Sequence, residues 1–139
     1  MNNQFDLDRF VQAQDPVYAA VLSELRAGHK RTHWMWFVFP QIAGLGTSAM
    51  AQRYAIASAD EAAAYLAHPV LGKRLRECAN IVAALDAESA GAIFSHPDEL
   101  KFHSSMTLFA DVAPDEAVFQ ACIDKYFDGQ ADPATLARL

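Results

Sequence analysis

Proline placement constrains this chain more than any other feature. Prolines stand at 16, 40, 69, 97, 114 and 133, spread along 139 residues. Proline blocks a helix interior or a central strand, yet it is tolerated in the first helical turn, where a missing N–H costs nothing. Several of these prolines sit where a helix would begin: Asp15-Pro16, His68-Pro69, His96-Pro97-Asp98-Glu99, Pro114-Asp115-Glu116 and Asp132-Pro133. About one residue in five is alanine, the best helix former. No hairpin signal appears anywhere. The pattern predicts a compact all-α domain of eight or nine short helices, with residues 1–139 forming one domain.

The expected helices follow from caps and apolar spacing. A short one covers Asp6 to Ala13. Asp15 as N-cap and Pro16 as first residue open the next, with Val17, Tyr18, Val21, Leu22 and Leu25 inward and Gly28 as left-handed C-cap. The apolar run Trp34 to Phe39 reads as a short buried helix, since no partner strand is in sight. Thr47 or Ser48 caps a helix to about Ala57. Ser58-Ala59-Asp60-Glu61 matches a capping box and opens a helix to about His68. Pro69 opens the longest helix, to about Ala87, on the stripe Leu71, Leu75, Cys78, Ile81, Val82 and Leu85. Gly72 weakens its first turn, so a late start is expected. Further helices cover Ser89 to Phe94, Pro97 to Ala110 and Pro114 to Gly129, and a last turn begins at Asp132-Pro133.

Composition excludes whole classes of function. The chain is 53% hydrophobic, which argues against disorder. A formal charge of −6 disfavours a nucleic-acid partner, because phosphate affinity rests on a basic surface. The most apolar window, Trp34 to Leu45, is too short for a membrane helix and is broken by Pro40. The start MNNQFDLDRF lacks the basic and apolar regions of a secretory signal. Cys78 and Cys122 fall in helix-like stretches and read as reduced core residues. Together these features predict a cytoplasmic protein with no membrane or nucleic-acid partner. Monomer and homodimer both fit.

Three segments concentrate chemistry. In Gly28-His29-Lys30-Arg31-Thr32-His33-Trp34-Met35-Trp36, cationic and titratable residues meet two indoles. Lys30 and Arg31 suit an anion, and Trp34 or Trp36 suits a flat ring. The competing reading is a solvated loop with both tryptophans in the core. In Gly44-Leu45-Gly46-Thr47-Ser48, small residues before a helix can offer backbone N–H groups to an anion. The competing reading is a tight turn with an N-cap. In Lys101-Phe102-His103-Ser104-Ser105-Met106-Thr107, Lys101, Ser104 and Ser105 share a helix face. A polar pocket explains so many poor helix formers, as do hydroxyls bonded back to carbonyls. His29 and His33 lack a third ligand and follow a helix stop, so no metal site is expected, and no cofactor. A Ser–Lys dyad would run in reversed order here.

These same stretches, with Arg9-Phe10-Val11-Gln12-Ala13-Gln14, Tyr65-Leu66-Ala67-His68-Pro69-Val70-Leu71-Gly72-Lys73-Arg74-Leu75 and Tyr126-Phe127-Asp128-Gly129-Gln130-Ala131-Asp132, resemble domain of unknown function family 1810 across nearly the whole chain. The block Trp34-Met35-Trp36-Phe37 is the most specific part. Thr32 and His103 depart from the residues common there. The resemblance implies a bacterial, compact, mostly helical protein and supplies no catalytic role. Some members bear the label calpastatin. An inhibitor of that type is a disordered repeat chain, which this packed sequence is not.

Two functions follow as expectations. In the first, the three segments converge on a small anionic ligand, nucleotide-like or phosphorylated. Lys30, Arg31, His33, Trp34, Trp36, Gly44, Gly46, Thr47 and Ser104 bind it. Lys101, His103 and Ser105 are the candidates for hydrolase or transferase chemistry. A separation above about 15 Å between Lys30 or Arg31 and Lys101 would exclude a shared ligand. In the second, the chain is a non-catalytic helical interaction module.

Overall fold

Ten helices form among residues 5–139, which the computed structural model describes. They are α1 (Asp8–Gln14), α2 (Tyr18–Arg26), α3 (Met35–Val38), α4 (Ala49–Arg53), α5 (Ala59–Ala67), α6 (Leu71–Ala84), α7 (Ala90–Phe94), α8 (Asp98–Val112), α9 (Ala117–Tyr126) and α10 (Pro133–Leu136). The first four residues, part of the stretch read for a secretory signal, lie outside the described ones. The count is slightly above the expected eight or nine, with α3 and α10 single turns of four residues each. No strand forms among the described residues. The loop at Ile42 and the one at Ile56 make a single parallel bridge.

Serine caps set the starts of α4, α5 and α7. Ser48, Ser58 and Ser89 accept the N–H groups of Ala51, Glu61 and Ala92, each satisfying an orphan donor of a first turn. The Ser58 box is shifted by one residue. Glu61 reaches past Ser58 and accepts from the Ala57 N–H at 2.7 Å. Its other oxygen lies 3.1 Å from Arg9 Nη2. The α2 stop follows the expected form. Gly28 is left-handed (φ 74°). The Gly28 N–H bonds to Leu25 O and the His29 N–H to Glu24 O, the paired bonds of a Schellman motif.

Several helix openings fall later than the prolines suggest, and α9 starts at Ala117 with Pro114 left in the preceding turn. Asp15 and Pro16 do not start α2, because α1 runs on to Gln14 and the Asp15 N–H still bonds to Val11 O. The Asp15 carboxylate is engaged by Arg74 at 2.9 Å rather than by a helix start. Helix α6 starts late, as expected, at Leu71 rather than Pro69, and ends at Ala84, so α8 and not α6 is the longest helix by one residue. His68 Nδ1 accepts the N–H groups of Val70 and Leu71 and so caps α6. Gly72 has a packing reason. A Cβ there would stand 2.0 Å from the Leu66 carbonyl of α5, so only glycine lets the two helices meet.

Helix α8 runs through the core. Phe102 and all residues from Ser104 to Phe109 are buried, which is why α8 shows no clear stripe. The Phe102 ring stacks on Phe94 at 4.7 Å and meets Phe39 edge-on at 5.0 Å, while Phe109 packs on Tyr65 and Phe119. Helices α5, α7, α9 and α10 pack around α8. Cys78 and Cys122 are free and buried, and burial pushes both thiols up to about 12. No helix among the described residues is long and apolar enough to cross a membrane.

Candidate functional site

The polar run of α8 holds the C-terminal segment of the chain. His103 Nε2 lies 2.6 Å from Gln130 O. A carbonyl only accepts, so Nε2 carries the proton and Nδ1 is left with the lone pair in the neutral ring. The His103 ring lies flat on Phe127, 3.9 Å between centroids. Ser104 Oγ donates to Asp132 Oδ2 at 2.8 Å, and Thr135 Oγ1 donates to the same oxygen at 2.6 Å. The Asp132 N–H bonds to Thr107 Oγ1. Partial burial works to raise the Asp132 carboxyl. Hydrogen bonds from Thr135 and Ser104, with His103 nearby, outweigh that and hold it below the usual carboxylate range.

A cavity of about 340 Å³ opens between α8, this C-terminal segment and the Gly44–Ser48 loop. Its polar walls are Gln41, Lys101, His103, Ser104 and Asp132, and its other lining includes Leu45, Leu100 and Gly46. The base of this loop is tied to Ile56, since the Ala43 N–H bonds to Ile56 O and the Ile56 N–H to Gln41 O, and Arg138 Nη2 donates to Gly44 O at 3.4 Å. Two sequence segments far apart therefore meet in one hollow, at the lower end of the volume range of ligand sites.

The charged groups of the cavity wall are Lys101 and Asp132, and Lys101 is paired with Asp98, which does not itself line the cavity. Asp98 Oδ2 is 2.8 Å from Lys30 Nζ and Asp98 Oδ1 is 3.3 Å from Lys101 Nζ. Lys30 and Lys101 thus stand on either side of one carboxylate, well inside the limit for a shared ligand. Lys30 is nearly buried, lies 5.3 Å from the Trp34 ring, and its N–H bonds to Ile93 O. It neutralises Asp98 from behind, and the trio keeps one surplus positive charge.

A family model described as protein of unknown function (DUF1810) matches residues 4–139. The chain belongs to the DUF1810 family. It is similar to the conserved hypothetical protein Rv1873 from Mycobacterium tuberculosis, whose crystal structure aligns with a TM-score of 0.95. The two are 54% identical over 97% of this chain and 96% of that one. No curated protein matches the chain.

The remaining residues singled out in this DUF1810 chain lie elsewhere. The basic-aromatic stretch does surround an anion, and that anion is the chain's own Glu24. Its carboxylate accepts the N–H groups of Arg31 and Thr32, the Thr32 hydroxyl and the Trp34 indole N–H, at 2.7 to 3.0 Å. Burial works to raise this carboxyl, but the four donors outweigh it and hold it at about 2. Trp34 is core, Trp36 is half-buried, and Arg31 and His33 are exposed. None of the four lines the cavity.

Gly44 is left-handed and lies under the Arg138 guanidinium, where a Cβ would stand 2.8 Å from Nε. Gly46 lines the cavity, and a Cβ there would meet Ala51 at 2.6 Å. Thr47 is exposed, and its carbonyl accepts from Gln52. Ser105 is fully buried, does not line the cavity, and its Oγ has no hydrogen-bond partner.

Sequence reasoning missed Glu24, Asp98 and Asp132. Glu24 left a legible signal, an acid within the apolar face of α2, three residues after Val21. Asp98 and Asp132 looked like ordinary residues of helix starts. Only tertiary contact reveals their partners.

Proposed function

We propose that the α8 cavity binds a small ligand bearing an anionic group, a phosphorylated or nucleotide-like metabolite. The surplus charge of the Lys30–Asp98–Lys101 trio carries this reading. With Asp98 neutralised by Lys30, Lys101 presents an ammonium to the cavity that a phosphate or carboxylate can meet. On the other wall, Asp132 and His103 Nδ1 are acceptors for ligand hydroxyls. Lys30 acts through Asp98 and need not touch the ligand. If a bond is cleaved or a group transferred, His103 is the wall group suited to move a proton.

Thermal-shift screening against nucleoside monophosphates and sugar phosphates tests the reading. A ligand bound only by the folded chain raises the melting point. Lys101→Ala should abolish the rise while keeping the fold, because Asp98 retains Lys30 as its partner. A full rise in that variant contradicts the reading. The alternative, a helical interaction module, draws on Leu100, which is 53% exposed at the cavity. Under it, no small anion shifts the melting point.

A further inference from the structure

A second cavity, also about 340 Å³, lies between α2 and the start of α6, with Tyr18, Pro69, Val70, Lys73, Arg74 and Glu77 around it. Charges of both signs line it, and their pairing is unusual. Lys73 and Glu77 are four apart on α6, and Arg74 and Glu77 three apart, the spacings at which opposite charges close ion pairs. Neither pair closes within 4.0 Å.

Each group is held to its own side instead. Glu77 Oε1 accepts the Tyr18 hydroxyl at 2.6 Å. That bond fixes the carboxylate and leaves its charge intact. Arg74 is pinned by Asp15 at 2.9 Å, by Gln14 Oε1 at 3.3 Å and by stacking 4.7 Å from the Tyr18 ring. Both polar contacts use Nη1, so Nε and Nη2 keep donors for another acceptor. Gln14 is itself buried and bonded to Phe37 O and Tyr65, which anchors the guanidinium to the core. Lys73 makes no ion pair among the described residues. Pro69 and Val70 add an apolar wall.

We propose that this cavity binds a free α-amino acid. The ligand carboxylate meets Arg74 and Lys73, its ammonium meets Glu77, and its side chain lies toward Pro69 and Val70. A zwitterion satisfies cations and acid together. A simple anion would face Glu77, and a simple amine would face two cations. The guanidinium fork suits a carboxylate in two-point contact. Its fixed pose lowers the ordering cost of binding. This proposal does not depend on the α8 cavity.

Titration of the ¹⁵N-labelled full chain tests it. The probes are the free α-amino acids, the matching α-keto acids and the matching primary amines. Saturable amide shifts are expected at Tyr18, Val70, Lys73, Arg74 and Glu77 for at least one amino acid. Its keto acid and amine should bind at least tenfold more weakly. Glu77→Gln keeps an acceptor for Tyr18 and removes the charge, so it should erase the preference over the keto acid while the rest of the spectrum is unchanged. The proposal is overturned if no amino acid gives saturable shifts at these residues, if the keto acid binds equally well, or if Glu77→Gln retains the preference. Shifts confined to Lys101–Ser104 would assign the ligand to the other cavity and overturn it as well.

Discussion

Glu24 is the residue on which the most local structure depends. It ties the Arg31–Trp34 stretch to α2 through four donors. Its folded carboxyl sits at about 2 against an ordinary 4.5. A depressed value means the charged form is favoured by folding, worth on the order of 3 kcal/mol near neutral pH. That stability is complete above the ordinary value and is lost as pH falls from about 4.5 to about 2. Glu24→Gln should therefore cost about 2–3 kcal/mol in urea denaturation at pH 7, with the gap to the parent chain narrowing toward pH 2. A gap that stays constant with pH would show that the carboxylate charge is not what holds the stretch. Lys30 gives a second test at this scale. Lys30→Met leaves Asp98 to Lys101 alone, so any phosphate ligand of the α8 cavity should bind severalfold more weakly.

At the scale of elements, the α5–α6 crossing and the C-terminal segment are the informative parts. Gly72→Ala forces a Cβ against the Leu66 carbonyl. Backbone cannot swing aside as a side chain can, so about 3 kcal/mol or more of destabilisation is expected, read as a lowered melting temperature. Residues 130–135 lie along α8 through His103, Ser104 and Thr107. Asp132→Ala removes the acceptor shared by Ser104 and Thr135 and should cost about 2 kcal/mol. Hydrogen exchange should rise across 130–139 while α8 stays protected.

Here the limits of reading the sequence are physical. Helix identity was legible from prolines, serine caps and Gly28, because those signals act within a few residues. The role of Gly72 was not, because it depends on a carbonyl of the preceding helix. The crowding of hydroxyls at 101–107 is visible in the sequence, but its main partner is a segment some 25–28 residues further on. Lys101, His103, Ser104 and Gly46 share a cavity, whereas Arg31 and Trp34 are organised around Glu24. Nothing in local spacing separates those two outcomes.

For the whole molecule, the cations explain more than the net charge. Arg9, Lys30, Arg74, Arg76 and Lys101 each face an acid, and Lys125 and Arg138 donate to backbone carbonyls. An acid-rich chain of net −6 thus uses its positive charge largely to hold itself together, while Lys101 also lines the α8 cavity. Under the proposed function, the Lys101 ammonium recruits a small anion there. The most direct measurement is a titration of the ¹⁵N-labelled chain with ribose 5-phosphate and with inorganic phosphate, in the parent and in Lys101→Ala. Saturable amide shifts are expected at Leu100–Ser104 and Asp132–Ala134, apart from the proline, and should vanish in the variant. Shifts that persist without Lys101, or none at those residues, would contradict that reading.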